Sequence, residues 1–345
     1  MPANLTPEYK AAAAALRQAR DPAERLECLR EMLRVIPRHK GTDHLQADLK
    51  HRIHELDEEL SGPKRGGARS APSLVVRPEG AAQIALVGPP NSGKSSLHAR
   101  LTGSGAKSAP YPLTTQYPEP GMLHWEDVNL QLVDLPAIAS AHPVHWIAST
   151  LQSADAACLV VDLADPDCLD HVVSVQHELA ARRVHFVTAW PADDAPRDEL
   201  AESDTAEGVL DIRLPTLLLA NKSDLLDHPQ TDLEALAELE EPHFPALLVS
   251  SQTGQGLGDL GAWLWRALGL VRVYTKAPGK DAEHERPFTL RRGQQTVGDV
   301  ARLVHRDMAK SLKYARVWGS SVTADGQHVG REHMLADRDT VELHV

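Results

Sequence analysis

The sequence predicts an α/β protein with a helical segment before its central domain and a small α+β module after it. Between residues 82 and 270, short apolar runs alternate with segments of helical periodicity. Such alternation is typical of a doubly wound, mostly parallel sheet. In the first 60 residues apolar side chains recur at helical spacing, whereas after residue 270 short strand patterns surround one helix pattern.

The N-terminal residues 1–75 are predicted to form a helical hairpin and a linker. Asp21 and Pro22 provide an N-cap and a first-turn proline for one helix. A second apolar stripe runs from Leu45 to Leu60, and two helices joined by a short loop form an αα-hairpin. The Gly-, Pro- and Ser-rich segment 61–73 is predicted to link this hairpin to the next domain.

The central domain is predicted to span residues 76–270. Buried strands are expected at 84–87, 130–133, 158–161, 216–220 and 246–249, and helices at 95–101, 144–151, 169–181, 232–239 and 257–268. The segment 190–213, rich in acidic residues, Ala and Pro, is predicted to be a surface excursion. The C-terminal domain, residues 271–345, is predicted to contain strands near 272–274, 288–290, 314–318 and 341–344 around a helix at 297–305.

The composition is that of an ordinary globular protein of 345 residues, with 42% hydrophobic and 24% charged residues. These values exclude collagen, a wholly disordered chain and a coiled-coil rod. Cys28, Cys158 and Cys168 lie far apart, which excludes a disulfide framework and a cysteine-based zinc site. The N-terminus lacks a signal-peptide pattern and no segment is apolar enough to span a membrane, so we expect a cytoplasmic protein without a membrane partner.

The net charge of −12 is concentrated between residues 76 and 270, while both ends of the chain are slightly basic. An acidic domain does not attract phosphate groups through its overall field, so a nucleotide bound there must be held by local backbone geometry. The two basic ends are the surfaces on which RNA could bind, and DNA is not expected as a partner.

Residues 88–95 read GPPNSGKS and lie between a predicted strand and a predicted helix. This spacing is typical of a phosphate-binding loop, because its glycines let successive backbone N–H groups point at one phosphate. We expect Lys94 to neutralise the terminal phosphates and Ser95 to ligate Mg²⁺. The nucleotide-binding residues predicted in this segment are Gly88, Pro89, Pro90, Asn91, Ser92, Gly93, Lys94, Ser95 and Ser96.

Residues 221–224 read NKSD and follow another predicted strand. The carboxylate of Asp224 can accept hydrogen bonds from the N1–H and 2-amino groups of guanine, and adenine has neither donor. We expect Asn221 to brace the neighbouring loops and the stem of Lys222 to cover the purine face. A solvated turn at a helix entrance is the alternative for so short a motif, but its position behind a phosphate loop favours GTP over ATP.

Two further loops complete the predicted site. Asp134 ends a strand, where a carboxylate can hold Mg²⁺ through water; a simple strand cap is the alternative. Ser250 and Ser251 begin the loop SSQTG after the last central strand, and the N–H of Ser251 is predicted to reach guanine O6. An ordinary Ser-rich turn before a helix is the alternative for this loop.

The order of these motifs resembles that of the Obg-type GTPases, and most closely that of the developmentally regulated GTP-binding proteins. Residues 111–122 are similar to switch I of that family, so the resemblance implies that Thr115, beside Thr114, ligates Mg²⁺ and the γ-phosphate. Residues 273–279, 313–319 and 326–330 resemble its TGS domain, a β-grasp module, and residues 39–45 resemble its N-terminal region. The resemblance implies a Ras-like P-loop GTPase domain between a helical hairpin and a TGS domain.

The sequence departs from the family pattern at two places. Ala137 stands where the family's Asp-Leu-Pro-Gly motif has glycine; its N–H can still meet a γ-phosphate, but positive φ is less accessible, so we expect restricted movement of switch II. The family carries an inserted subdomain between Asp134 and the NKSD motif. Only the segment 190–213 stands there in this chain, which is therefore predicted to be a short variant.

Hydrolysis of GTP is expected to be slow or to depend on an additional group. Ile138 occupies the position of the water-orienting glutamine of many small GTPases, and its side chain cannot form a hydrogen bond. The loop resembles those of GTPases that bind K⁺ between the β- and γ-phosphates, which implies that Asn91 is a K⁺ ligand; a role in bracing the loop is the alternative. The predicted catalytic residues are Lys94, Thr115 and Asn91.

The resemblance also implies a partner, because TGS domains in similar proteins are linked to ribosomes or RNA. Basic and aromatic residues of the C-terminal domain could track RNA, although a solvated face of mixed charge is an equal alternative. They are Arg291, Arg292, Arg302, Arg306, Lys310, Lys313, Arg316, Tyr314 and Trp318. A GTP-binding scaffold with negligible hydrolysis, and an RNA-binding protein with a vestigial GTPase domain, are the competing functions.

Overall fold

The computed structural model describes residues 6–19, 21–37, 42–61, 76–103, 117–139, 146–193, 211–280 and 283–345. The chain forms two compact units. One consists of the described residues within Met1–Gly121, Gln131–Ala189 and Pro196–Leu257, and the other of those within Met122–Leu130, Trp190–Ala195 and Gly258–Val345. This division differs from the three predicted domains 1–75, 76–270 and 271–345, because the tip of one central hairpin and the last central helix belong to the second unit.

The described residues of the N-terminal segment form three helices, which corrects the predicted hairpin of two: α1 (Pro7–Gln18), α2 (Pro22–Val35) and α3 (Asp43–Ser61). The predicted N-cap is present, since the carboxylate of Asp21 accepts a hydrogen bond from the N–H of Ala23. The additional helix packs Tyr9 into the same buried cluster as Leu29. Its buried face, Tyr9, Ala12, Ala13 and Leu16, follows helical spacing, but alanines also occupy the exposed positions, so the stripe is not evident from the sequence. The predicted linker lies almost entirely outside the described residues.

The central sheet is built from β1 (Gln83–Val87), β2 (Glu119–Trp125), β3 (Val128–Asp134), β4 (Ala156–Asp162), β5 (Val184–Val187), β6 (Ile212–Asn221) and β7 (Ala246–Leu248). Its order is β2-β3-β1-β4-β6-β5, and β7 pairs with β6. The pairs of β1 with β3 and β4, and of β6 with β4, β5 and β7, are parallel. Strands β2 and β3 are joined by a two-residue turn and therefore run antiparallel.

The helices of the central region are α4 (Lys94–Thr102), α5 (Ile147–Leu151), α6 (Cys168–Ala180), α7 (Pro229–Leu239) and α8 (Leu260–Ala267). Every predicted strand and helix of this region is present within a few residues. Strands β2 and β5 were not predicted; both lie at an end of the sheet order, where a strand needs no continuous apolar run. Among the described residues, no helix is long and apolar enough to cross a membrane.

The predicted surface excursion 190–213 is wrong at both of its ends. Trp190 is buried, and its ring meets that of Trp263 edge to face at a centroid distance of 4.7 Å. Residues 212 and 213 already belong to β6, where they pair with β5. The polar composition of the segment gives no sign of the buried tryptophan or of the start of β6. Residues 194–210 between them lie outside the described residues.

The C-terminal elements are β8 (Leu270–Lys276), β9 (Glu283–Arg291), α9 (Val297–Val304), α10 (Arg306–Ser311), β10 (Tyr314–Trp318), β11 (Gln327–Val329) and β12 (Asp339–His344). The sheet order is β11-β10-β12-β8-β9, with β12 parallel to β8. Helix α9 begins with a capping box between Thr296 and Asp299 and buries Val297 and Val300 in the core of this sheet. This is the predicted β-grasp arrangement; the short α10 and β11 were not predicted.

A buried arginine organises one end of the second unit. The guanidinium of Arg272 on β8 contacts the carboxylates of Glu126 at 2.5 Å and Asp127 at 2.6 Å in the turn between β2 and β3. It also contacts Asp337 at 3.1 Å. Its central carbon lies 5.0 Å from the ring centroid of Trp125 and 4.8 Å from that of Trp265. The hairpin tip is thus held to the β-grasp sheet by charge, hydrogen bonds and cation–π contacts.

Candidate nucleotide-binding site

The predicted phosphate loop lies where predicted, between the end of β1 and the start of α4 at Lys94. Two of its glycines have backbone conformations that a side chain would disturb. At Gly88 (φ +151°) a Cβ would come within 2.2 Å of the carbonyl oxygen of Val160, and at Gly93 (φ +89°) within 2.3 Å of Nδ2 of Asn221. Other segments of the same chain approach these two positions so closely that both require glycine.

The ammonium group of Lys94 is buried inside this loop. Its Nζ donates hydrogen bonds to the carbonyl oxygens of Gly88 at 3.1 Å and Pro89 at 2.9 Å. Burial lowers the pKa of Lys94 to about 8, although the negative charge of Asp134 acts in the opposite direction. The cation is therefore held by two neutral acceptors, which a phosphate group could replace with a stronger, charged interaction.

A hydroxyl and a carboxylate meet beside the lysine. Ser95 Oγ donates to Asp134 Oδ2 at 2.5 Å, because parallel pairing places Leu86 of β1 opposite Asp134 at the end of β3. Asp134 is fully buried. Mg²⁺ prefers oxygen ligands of this kind and binds few protein groups beside substrate phosphates, so the donor set fits the predicted ion.

The side-chain amide of Asn221 connects three loops. Its Nδ2 donates to the carbonyl oxygen of Ser92 in the phosphate loop at 2.8 Å, and its Oδ1 accepts from the N–H of Ser251 at 2.9 Å. Asn221 is fully buried at the end of β6. These contacts fit the predicted bracing role, since one planar amide group sets the spacing between the phosphate loop and the loop after β7.

The loop 221–224 also presents the groups predicted to contact the base. Lys222 has a left-handed backbone conformation (φ +62°), and its Nζ pairs with Asp162 Oδ2 at 2.5 Å. Asp224 is exposed in the short 3₁₀ helix Ser223–Leu225, where its carboxylate is open to a ligand. Sequence reasoning missed Asp162, whose position at the end of β4 was the available signal.

The loop after β7 differs from expectation at Ser251. Its N–H, which was predicted to reach guanine O6, donates instead to Asn221 Oδ1. An O6 contact from this amide would have to share its hydrogen with Asn221. Ser250 is buried, and its Oγ accepts from the N–H of Thr253 at 2.9 Å, so this serine shapes the loop.

The segment after Asp134 returns towards the phosphate loop. The N–H of Ile138 donates to the carbonyl oxygen of Gly88 at 3.1 Å, and the Ile138 side chain is buried in the main core cluster. Ala137 is nearly buried and is not among the described residues with positive φ. A side chain buried in this way cannot orient a water molecule in the site.

Comparison with known families matches residues 83–189 to the 50S ribosome-binding GTPase family and residues 271–345 to the TGS domain. A GTP-binding protein of Halobacterium salinarum is 28% identical over 93% of this chain and 98% of its own length. Developmentally-regulated G-protein 2 of Arabidopsis thaliana is 27% identical over 93% of this chain and 90% of its own length. The chain is a homologue of the developmentally regulated GTP-binding proteins.

The fold is accordingly a P-loop GTPase domain followed by a C-terminal TGS domain, as the resemblance implied. A crystal structure of a GTP-binding protein from Pyrococcus horikoshii matches with a TM-score of 0.50 at 16% identity, covering 76% of this chain and 99% of that one. This likeness concerns the fold alone. The chain is thus similar to GTP-binding proteins of the developmentally regulated type over most of its length.

Among the remaining predicted site residues, Thr114 and Thr115 lie outside the described residues. Asn91 is exposed with a left-handed backbone conformation (φ +61°), and Pro90 and Ser96 are half-buried. The described residues contain no group of three or more His, Cys, Asp or Glu side chains placed to hold a metal ion. Of the three predicted Mg²⁺ ligands, Ser95 and Asp134 lie among the described residues and Thr115 does not.

The basic residues of the TGS domain are mostly exposed, but part of their charge is used locally. Arg302 pairs with Asp299, and Lys310 lies 3.9 Å from Asp307. Tyr314 is stacked between two histidine rings, at centroid distances of 4.6 Å and 4.5 Å. The ammonium nitrogen of Lys276 lies 4.0 Å from the ring centroid of Trp318. The aromatic residues thus share the outer face of the sheet with cations.

Proposed function

We propose that this protein hydrolyses GTP slowly to GDP and phosphate and that the two nucleotide states switch its affinity for a ribosome- or RNA-linked partner in the cytoplasm. The observation that supports it most directly is the double hydrogen bonding of Asn221 to Ser92 and Ser251. This contact joins the phosphate-binding and guanine-binding loops into one frame. A fixed spacing between these two loops lets one ligand contact one loop with its phosphates and the other with its base.

The residues of the chain act by position and charge. In the proposed complex, Lys94 exchanges the carbonyl oxygens of Gly88 and Pro89 for phosphate oxygens, which restores its pKa towards the ordinary lysine value. Ser95 and Asp134 hold Mg²⁺, which neutralises charge on the phosphates when bound. Asp224 accepts from the guanine edge and excludes adenine.

Slow hydrolysis is expected because the residue at the position of the water-orienting glutamine, Ile138, cannot act on a water molecule beside the γ-phosphate. Ile138 is buried and its N–H is bonded to Gly88, so it neither orients water nor offers a donor. We propose that K⁺ held by Asn91 supplies the missing charge stabilisation, since a cation beside the bridging oxygen acts on the transition state. The exposed position of Asn91 on the loop supports this role.

Single-turnover phosphate release in equimolar KCl and NaCl tests the proposal. We expect release to be at least about tenfold faster in KCl. Asn91→Gly should lose this difference, because it removes the amide ligand while glycine tolerates the left-handed conformation (φ +61°) of this position. Equal rates in the two salts for the unaltered protein would remove the K⁺ role but leave slow hydrolysis standing.

A GTP-binding scaffold without meaningful turnover is the second candidate function. The buried Ile138 and the alanine at 137 favour it, because both reduce what switch II can contribute to catalysis. Tight GTP binding, together with no phosphate release above the buffer rate in KCl, would support the scaffold and contradict the switch.

The partner is proposed from the TGS match and from the exposed basic residues of that domain. Binding should weaken as salt rises, because contacts to RNA phosphates release counterions. Co-sedimentation with ribosomes at low salt, with a GTP analogue or GDP, measures this directly. The proposal predicts more protein in the pellet with one nucleotide than with the other, and no pelleting with either would contradict it.

A further inference from the structure

Arg100, near the end of α4, contacts the loop after β7 at three successive carbonyl groups. Its Nη1 donates to the carbonyl oxygens of Ser251 at 3.3 Å and Gln252 at 2.8 Å, and its Nη2 donates to that of Thr253 at 2.8 Å. An arginine that pairs with one carboxylate neutralises a charge. This guanidinium instead meets three neutral acceptors of one turn, which fixes the direction of their peptide groups.

The loop is shaped to receive the guanidinium. Gly254 has a φ of +90°, and a Cβ there would lie 2.6 Å from Nη2 of Arg100. The N–H of Gly254 donates to the carbonyl oxygen of Ser250, which closes the turn from within. At Gly256 (φ +74°) a Cβ would lie 2.0 Å from the carbonyl oxygen of Leu248, so the loop leaves β7 in a single tight conformation.

Orientation of the carbonyl groups also orients the N–H groups of the loop. In a planar trans peptide the C=O of one residue and the N–H of the next point in opposite directions. With the carbonyls of Ser251–Thr253 directed at Arg100, the N–H groups of Gln252, Thr253 and Gly254 are directed away from it. Those of Thr253 and Gly254 bond to Oγ and to the carbonyl oxygen of Ser250, which leaves the N–H of Gln252, within the described part of this turn, to meet a ligand. The N–H of Ser251 points to Asn221, which is bonded to the phosphate loop at Ser92.

We infer that Arg100 is a positioning residue for guanine recognition: it holds the loop 250–256 in the conformation that meets the O6 edge of the base. The inference rests on the proposed function, in which this loop contacts the purine. It adds a second connection between α4 and the base site, because the phosphate loop reaches the same loop through Asn221. Arg100 itself touches neither phosphate nor base in this scheme.

The test compares three diphosphates on the full chain and on Arg100→Ala. GDP carries O6, N1–H and the 2-amino group, and inosine diphosphate lacks only the 2-amino group. 6-Thioguanosine diphosphate lacks O6, because sulfur, a weaker acceptor, replaces it, but keeps N1–H and the 2-amino group. We expect Arg100→Ala to release GDP about tenfold faster, equivalent to about 1.4 kcal/mol. Its preference for GDP over the O6-lacking analogue should shrink, while its preference over inosine diphosphate persists because Asp224 is untouched. Arg100→Lys should recover only part of the loss, since an ammonium cannot bridge three carbonyls.

Arg266→Ala is the matched control, because Arg266 is exposed and, within the part of the chain that the structure describes, its guanidinium bonds only a carbonyl of its own helix, that of Ala262 at 3.3 Å. The control should leave all three affinities unchanged. Unchanged GDP release and analogue ratios in Arg100→Ala would overturn the inference, as would a parallel loss of both preferences. An unaltered protein that does not prefer GDP to ADP would overturn the proposed function, a result distinct from either outcome in the variant.

Discussion

Replacing Arg272 with alanine should destabilise the second unit far more than any exposed charge substitution. The Arg272 side chain is 2% exposed and lies between Trp125 and Trp265. Its removal leaves the carboxylates of Asp127 and Asp337 without their cation. Arg272 differs from the arginine of an exposed ion pair, because both its guanidinium group and the aliphatic part of its side chain are buried.

The magnitude follows from the difference between buried and exposed ion pairs. Burial acts to raise the pKa of Asp127, but hydrogen bonds from Tyr274 and Arg272 outweigh it and leave that pKa below its ordinary value. Arg272 responds in the same way, since its pKa is raised although burial acts to lower it. The carboxylates that remain are 25–41% exposed and can be solvated, so removing Arg272 should cost about 1.5–3 kcal/mol, the range for hydrogen bonds to charged groups, whereas an exposed pair contributes at most about 1 kcal/mol.

Arg338→Ala is the matched control, because Arg338 is 59% exposed and pairs with the same Glu126 at 2.7 Å. Urea unfolding of the full chain can be followed by tryptophan fluorescence, which reports mainly on the second unit because five of the six tryptophans lie there. Two of them, Trp125 and Trp265, have ring centroids 5.4 Å apart. Arg272→Ala should unfold this region at clearly lower urea than Arg338→Ala. Equal midpoints for the two variants would refute the reasoning that burial makes the Arg272 cluster the main support of the hairpin tip.

Three other substitutions test further parts of the structure. Asn221→Ala removes both bonds between the loops, so stopped-flow release of a fluorescent GDP should accelerate by about tenfold or more, and unchanged release would deny the bracing role. Gly93→Ala places a Cβ 2.3 Å from Asn221 Nδ2 at a φ of +89° and should abolish nucleotide binding in titration calorimetry, whereas retained affinity would show that the loop can adjust. Burial raises the pKa of Glu240 to about 7, so the free energy of unfolding should fall between pH 5 and 8 as the native carboxyl is forced to ionise. Glu240→Gln should flatten this slope in urea titrations, and a slope identical to that of the unaltered protein would contradict the assignment.

The elements of the nucleotide site could be predicted because their signals are local. Asp134 and Asn221 each end a buried strand, and the glycines of the phosphate loop stand at fixed distances from Lys94. Parallel strands bring their carboxyl ends to one edge of a sheet, so positions on separate strands could be combined without coordinates.

Contacts between distant segments could not be predicted in this way. Arg100 reaches the loop after β7 across about 150 positions of sequence, and the pairing of Asp162 with Lys222 depends on the register between β4 and β6. Arg272 was expected only as a strand residue, since nothing nearby in sequence reveals the carboxylates of Glu126 and Asp127. The N–H of Ser251 was assigned to the base because its acceptor, Asn221, lies 30 residues away.

The most direct test of the account concerns Asp224 and the choice of base. The affinities of the unaltered protein and of Asp224→Asn should be measured for GTP and for xanthosine triphosphate, whose C2 carbonyl can accept from the asparagine amide. We expect the unaltered protein to prefer GTP, and the variant to lose GTP affinity by about a hundredfold and to prefer xanthosine triphosphate. An undiminished preference for GTP in Asp224→Asn would contradict the assignment of this carboxylate as the group that selects guanine.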